Sequence, residues 1–121
     1  MMKILIAEDE AMMLAALQKN LQDDGYEVII TSDGQSAIEQ YHIQKPDLII
    51  TDILMPFTSG LELISVVRSN TQQNTPIIVL SAMGQEATVM EAFNLGADDF
   101  LTKPFNPSEL SLRVKRLLRK K

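Results

Sequence analysis

One feature constrains the fold more than any other: an alternation that runs the length of the chain. Short apolar runs of strand type are each followed by a segment with helical spacing. The runs are KILIAE (3–8), YEVIIT (26–31), PDLIITD (46–52), TPIIVLS (75–81) and DFLTK (99–103). After the first, EAMMLAALQKNLQDDG sets Leu14, Leu17 and Leu21 on one helix face and stops at Gly25. DGQSAIEQYHIQK turns Ala37, Ile38 and Tyr41 inward. A third helix, capped by Ser59 or Thr58, runs to about Asn70 with Leu61, Ile64 and Val67 or Arg68 along it. A fourth covers 85–95 and is closed by Gly96. The last opens at NPSEL, where Asn106 is the N-cap, Pro107 the first helical residue and Glu109 completes a box-like start. Met12, Met13 and Met90 read as helix packing, and Met55 as packing under a loop.

Five strands alternating with five helices mean βα units, a parallel sheet and helices on both of its faces. The third and fourth strands are nearly continuous apolar runs, as strands covered on both sides are. No repeat, internal linker or second domain interrupts the pattern, so residues 1–121 form one domain. At 121 residues and 45% hydrophobic, the chain can bury one core. It has no cysteine, which excludes disulfides, thiol catalysis and Cys-ligated zinc. A net charge of −5 argues against nucleic-acid binding by the surface as a whole. Six of the eleven basic residues fall in the last nine positions, a pattern that reads as the solvated cationic end of a helix. The apolar start, Ile4 to Ala7, is too short for a signal peptide or membrane span. The expectation is a soluble, cytoplasmic domain without a membrane association.

In an open parallel sheet, ligands bind beyond the carboxyl ends of the strands. Strand one ends on Glu8 and Asp9, strand three on Asp52, and strand four on Ser81. Strand five ends on Thr102, Lys103 and Pro104. The acids of strands one and three meet only if those strands are neighbours, as in the doubly wound order 2-1-3-4-5. Three acids close together repel unless a cation sits among them. Hard oxygen ligands in a wet cleft suit Mg²⁺, and Mn²⁺ can substitute. Lys103 and Ser81 are tools for holding a phosphoryl group, and Asp52 is then the nucleophile. Each residue alone has a bland reading: a solvated Glu-Asp pair, a loop-start serine, a Lys-Pro turn, a strand-capping aspartate. Their joint occurrence in this chain order is what points to chemistry. His42, the single histidine, reads as a surface residue, and Thr51 as pointing to the opposite side of the strand from Asp52.

These stretches carry a resemblance. AEDE (7–10), TDILMP with SG (51–60), PIIVLSA (76–82) and GADDFLTKPF (96–105) resemble the receiver domains of bacterial two-component response regulators. The resemblance spans essentially the whole chain. It implies a flavodoxin-like (CheY-like) fold and Mg²⁺-dependent phosphorylation of Asp52 by a sensor histidine kinase or a phosphotransfer protein. It further implies that Asp9, Asp52 and the backbone carbonyl of Leu54 ligate Mg²⁺, and that Glu8 reaches it through water. Ser81 and Lys103 would hold phosphoryl oxygens, Phe100 would be a switch aromatic, and Lys103–Pro104 a cis peptide. Such a module is a phosphoacceptor rather than an enzyme, with self-catalysed phosphorylation and dephosphorylation at most. Ser81 stands where Thr is frequent, which keeps the hydroxyl. Phe100 stands where Tyr or His is frequent, which removes a hydrogen bond and leaves packing as the alternative role.

The end of the chain resembles receivers attached to winged-helix DNA-binding domains, which form homodimers through the fourth helix, fifth strand and fifth helix by charge pairs. Asp98, Asp99, Glu109 and Arg113 fit such a face, whereas 86–95 holds no Lys or Arg. A C-terminal DNA-binding domain lies outside these 121 residues on that reading, and a stand-alone relay is the other reading. Two further classes compete. A Mg²⁺-dependent phosphohydrolase of the haloacid dehalogenase type would place its nucleophile at the end of the first strand, with a second Asp two residues on. Here that strand gives adjacent Glu8 and Asp9. An inert flavodoxin-like scaffold would have no need of the acid, hydroxyl and lysine set. A flavin-binding version has no Trp and only two Tyr with which to stack the ring.

Overall fold

A computed structural model describes residues 1–55 and 58–119. Pro56, Lys120 and Lys121, which figure in the sequence reading, lie outside the described residues. The chain runs β1 Lys3–Ala7, α1 Ala11–Asp23, β2 Glu27–Thr31, α2 Gly34–Gln44, β3 Leu48–Asp52, α3 Gly60–Ser69, β4 Ile77–Ser81, α4 Glu86–Leu95, β5 Asp99–Thr102 and α5 Pro107–Arg119. All strand pairs are parallel and the sheet order is β2-β1-β3-β4-β5. Each expected strand is present, shorter than its apolar run by a residue or two.

The period of two along the strands divides the interior into two cores. Ile4, Ile6, Leu48, Ile50, Ile78 and Leu80 face α1 and α5, where Leu17, Leu21, Leu110 and Val114 meet them. Leu5, Ala7, Ile49, Ile77 and Val79 face α2, α3 and α4, against Ala37, Tyr41, Leu63, Ile64, Val67 and Ala92. β3 and β4 are buried at every residue, as their continuous apolar runs imply. Cutting Ile50 back to alanine in the middle of this sandwich would cost about 2–5 kcal/mol.

The helix starts are set locally. Asp33 accepts from Ser36 N, Ser59 from Glu62 N, and Asn106 from both Ser108 N and Glu109 N. Ser59, not Thr58, is therefore the α3 cap. At α5, Glu109 turns to Arg113 rather than closing a reciprocal box. The α1 cap is Glu10, which accepts from Met13 N. Gly96, at φ +119°, ends α4 in the left-handed region that a side chain would strain.

Three packing expectations need correction. Met12 and Met90 are 80% and 62% exposed, so only Met13 packs on the core. Their spacing is helical, but they sit one step outside the buried stripe. Arg68 is not an apolar-face residue. Its guanidinium donates to Gly96 O at 2.9 Å, Thr75 O at 2.7 Å and Asp98 Oδ2 at 2.7 Å, tying the end of α3 to the end of α4.

Candidate functional site at the carboxyl edge of the sheet

Because β1 and β3 are neighbours, with Ala7 opposite Thr51, the residues that follow them emerge side by side. Glu8, Asp9 and Asp52 each offer a carboxylate oxygen, and these atoms lie within 4.8 Å of one another. Glu8 and Asp52 are buried and Asp9 is exposed, so the cluster opens to water on one side. β4 and β5 pair Ser81 with Thr102, and Lys103 N donates to Ser81 O at 2.8 Å. This register delivers Lys103 to the acids. The Lys103–Pro104 peptide bond is cis.

Lys103 Nζ donates to Asp52 Oδ2 at 2.7 Å and stands 2.8 Å from Glu8 Oε1. The first contact is a directed hydrogen bond. The second is a charge contact off the hydrogen-bond direction, so Glu8 Oε1 is buried without a directed donor. Glu8 Oε2 is held by Glu10 N at 2.9 Å, and Asp52 Oδ1 has only the long 3.4 Å approach of Leu54 N. Burial pushes the Glu8 carboxyl above its ordinary range. The Lys103 ammonium and the Glu10 amide oppose that shift, and the Asp52 charge reinforces it. Burial alone would lower Lys103, but its contacts with the Asp52 and Glu8 carboxylates outweigh burial and the net direction is up. Three acids against one ammonium leave an excess of negative charge at a hard-oxygen cleft. A buried carboxylate oxygen without a directed donor sits within it. That donor set fits a divalent cation with retained water.

Thr51 is fully buried and its hydroxyl donates to Asp52 O at 2.9 Å, away from the cleft chemistry. His42 is exposed on α2 and touches the Tyr41 ring. Met55 packs against the core beneath α2, α3 and α4. Ser81 is 3% exposed and opens one end of a cleft of about 490 Å³ whose other walls include Val89, Met90, Phe93 and Phe100. Phe100 is not core. It is 38% exposed and meets Phe93 edge to face, with centroids 5.9 Å apart.

The charges that sequence reading offered to a partner are engaged within the chain. Asp98 takes Arg68 and Ile77 N. Buried Asp99 takes Arg113 at 2.8 Å and Arg116 at 2.9 Å, and Glu109 takes Arg113 at 3.1 Å. Sequence reading also passed over Gly34 and gave Gly60 no role of its own. Both lie against the backbone that carries Asp52 onward. The available signal was a glycine directly after an N-cap, where alanine would favour the helix by about 1 kcal/mol.

Fold and site together define a doubly wound α/β module with an acidic, lysine-bridged cleft at its topological switch point. Comparison with known proteins gives the family. The response regulator receiver domain model matches residues 4–115, and the chain belongs to that family. Over 118 residues it is 41% identical to the alkaline phosphatase synthesis transcriptional regulatory protein PhoP of Bacillus subtilis, covering 98% of this chain and 49% of that one. Over 119 residues it is 40% identical to response regulator RR06 of Streptococcus pneumoniae, covering 98% and 54%. The chain thus spans about half the length of the curated relatives it matches. Among solved structures, the chemotaxis response regulator CheY4 of Vibrio cholerae aligns with TM-score 0.89 at 34% identity, over 97% of this chain and 98% of that one. The receiver domain of the Francisella response regulator 1452 aligns with TM-score 0.89 at 31% identity, over 99% and 98%.

The chain's function is that of a phosphoacceptor in two-component signalling, and receiver domains of response regulators are typically signalling phosphoacceptors rather than enzymes. Receiver domains bind Mg²⁺ at an acidic pocket and work with histidine kinases or phosphotransfer proteins. The dehalogenase-type and inert-scaffold alternatives are not favoured. Among the described residues, no helix is long and apolar enough to cross a membrane.

Proposed function

We propose that residues 1–121 form one cytoplasmic receiver domain whose phosphoacceptor is Asp52. The observation that carries this is the position of the Asp52 carboxylate. It sits at the end of a buried strand, among two further acids, and is bridged by Lys103 at 2.7 Å. A carboxylate oxygen of Asp52 attacks phosphorus on the donor's phosphohistidine. An O–P bond forms, the N–P bond breaks, and the departing imidazole recovers its proton from solvent. Asp9, Asp52 and the Leu54 carbonyl would hold Mg²⁺, with Glu8 acting through water. When bound, the ion offsets repulsion between the acids and the incoming phosphoryl oxygens. Lys103 exchanges part of its contact with Asp52 for a phosphoryl oxygen, and Ser81 donates to another. Self-catalysed transfer from a small phospho-donor, and slow hydrolysis, use the same groups.

The switch runs from Ser81 through the adjoining cleft to Phe100 and to the face formed by α4, β5 and α5. Homodimer formation through that face relies less on charge pairs, because Asp98, Asp99, Glu109 and Arg113 already have intrachain partners. The greater length of the relatives, and that PhoP is a transcriptional regulatory protein, support a C-terminal DNA-binding output domain. Acetyl phosphate with Mg²⁺, read by intact mass, tests the assignment. One phosphoryl group is expected on the wild type and none on Asp52→Asn or without Mg²⁺. Modification that persists in Asp52→Asn removes Asp52 from this role.

A further inference from the structure

The backbone that leaves Asp52 is held at two points by contacts that only glycine permits. At the near end, Gly60 N donates to Ile53 O at 2.9 Å. A Cβ at Gly60 would overlap the carbonyl oxygen of Asp52 itself and lie 3.1 Å from Ile53 Cα. At the far end, the carbonyl of Thr58 meets the first residue of α2. A Cβ at Gly34 would overlap Thr58 O, lie 2.6 Å from its carbonyl carbon and 2.8 Å from its Cβ. The obstructing atoms at both points are mostly backbone, so no rotamer change relieves the overlap. Gly34 opens α2 and is buried, so the Thr58 carbonyl lies at the positive, amide-rich end of that helix and against a Cα–H.

We infer that Gly34, 18 residues before the phosphoacceptor in sequence, is a positioning residue for the metal and phosphoryl site. The segment from Ile53 to Ser59 carries Leu54, whose carbonyl is an assigned metal ligand, and joins directly to Asp52. The close approach of α2 fixes where the Thr58 backbone stands relative to Gly34, and a side chain at position 34 pushes it outward. Asp33, which caps α2, anchors the helix start so that the displacement falls on the loop rather than on α2. The choice of glycine costs helix stability at this position, and loop placement supplies a reason to keep it. This inference rests on the metal site proposed above.

The test is Mg²⁺ and Mn²⁺ titration of the protein by calorimetry, with thermal melts in chelator and amide NMR of the metal-free state. Gly34→Ala is expected to weaken metal affinity by about tenfold, the low end of what altered support of a ligand does. Its amide shifts should concentrate at Asp52–Met55 and Thr58–Gly60. Gly25→Ala is the control. Its φ of +96° makes alanine strained, but nothing lies within 4 Å of the added Cβ. It should lower the melting temperature and leave metal affinity unchanged. Thr58→Gly serves if Gly34→Ala does not fold. It loosens the loop's side of the contact without overlap and should weaken affinity about threefold on the same reasoning. A wild type that binds no metal refutes the site assignment. A wild type that binds, with Gly34→Ala or Thr58→Gly binding equally well, refutes the positioning role alone.

Discussion

Replacing Lys103 by methionine keeps most of the side-chain volume and deletes the ammonium between Glu8 and Asp52. The Glu8 side chain is 0% exposed, that of Asp52 8% and that of Lys103 20%. Removing one partner from a buried pair leaves an uncompensated charge, and the partly wet lysine places this case at the low end, about 3 kcal/mol. For a domain of this size that is a fall of about 10 °C in melting temperature. The loss should depend on pH in a definite sense. The folded pKa of Glu8 already lies above its ordinary value of 4.5. A carboxyl raised on folding takes up its proton more readily in the folded state, so stability falls as pH rises through the folded pKa. Without the ammonium, that pKa climbs further. The gap between wild type and Lys103→Met should be wide at high pH and narrower at low pH, as Glu8 takes up its proton and stops opposing Asp52. Mg²⁺ should recover much of the loss at the higher pH by replacing the missing positive charge. Chelator melts, Mg²⁺ melts and denaturant titrations at high and low pH measure all three effects. A gap under about 1 kcal/mol in chelator, or one independent of pH, would refute the claim that Lys103 is the resident counter-charge of this cluster.

Asp9→Ala should weaken Mg²⁺ binding and modestly raise the melting temperature of the metal-free protein, because it thins a like-charge cluster without exposing a core; a clear drop in chelator would make Asp9 a structural acid. Arg68→Ala should cost about 3 kcal/mol by urea denaturation, since it strips charged donors from Gly96 O, Thr75 O and Asp98; a loss under about 0.5 kcal/mol would show those acceptors to be satisfied by water. With beryllofluoride as phosphoryl mimic, amide shifts across Ser81–Leu95 should survive Phe100→Tyr and collapse in Phe100→Ala, and their persistence in Phe100→Ala would move the switch to another route.

The strands and their order were legible because burial on two faces leaves an unmistakable apolar run, and because the acids could meet in few topologies. The clustering of the candidate site residues was legible for a related reason. In a parallel sheet every strand end points to the same edge, so Glu8, Asp9, Asp52, Ser81 and Lys103 could be gathered without knowing a single distance. What escaped was set by contacts between residues distant in sequence. Arg68 looked like one more helix position until Gly96, 28 residues away, received its guanidinium. Asp99 looked like an outward charge, yet α5 brings Arg113 and Arg116 across to bury it. Met12 and Met90 matched a helical spacing, but a one-position rotation about the axis decides exposure, and local pattern does not fix that rotation. Gly34 was silent because a glycine shows its role only through the neighbour that fills its missing side chain.

The two ends of α4 are fastened very differently. At the carboxyl end, Gly96 O is gripped by Arg68, and Gly96 N bonds back to Ala92 O and Phe93 O. At the amino end, Gln85 gives the helix no side-chain cap, its amide oxygen being spent on Ala82 N in the loop after Ser81. A rod held this way has a fulcrum. Its ten residues make an arm of about 15 Å. A tilt of about 5° about the gripped end carries the free end through about 1.3 Å, while the grip itself scarcely moves. In such a tilt the travel would be greatest at the uncapped first turn and least at Gly96, so it would be graded along the helix. A surface docked on its first turn would meet the larger displacement, and one docked on its last turn almost none.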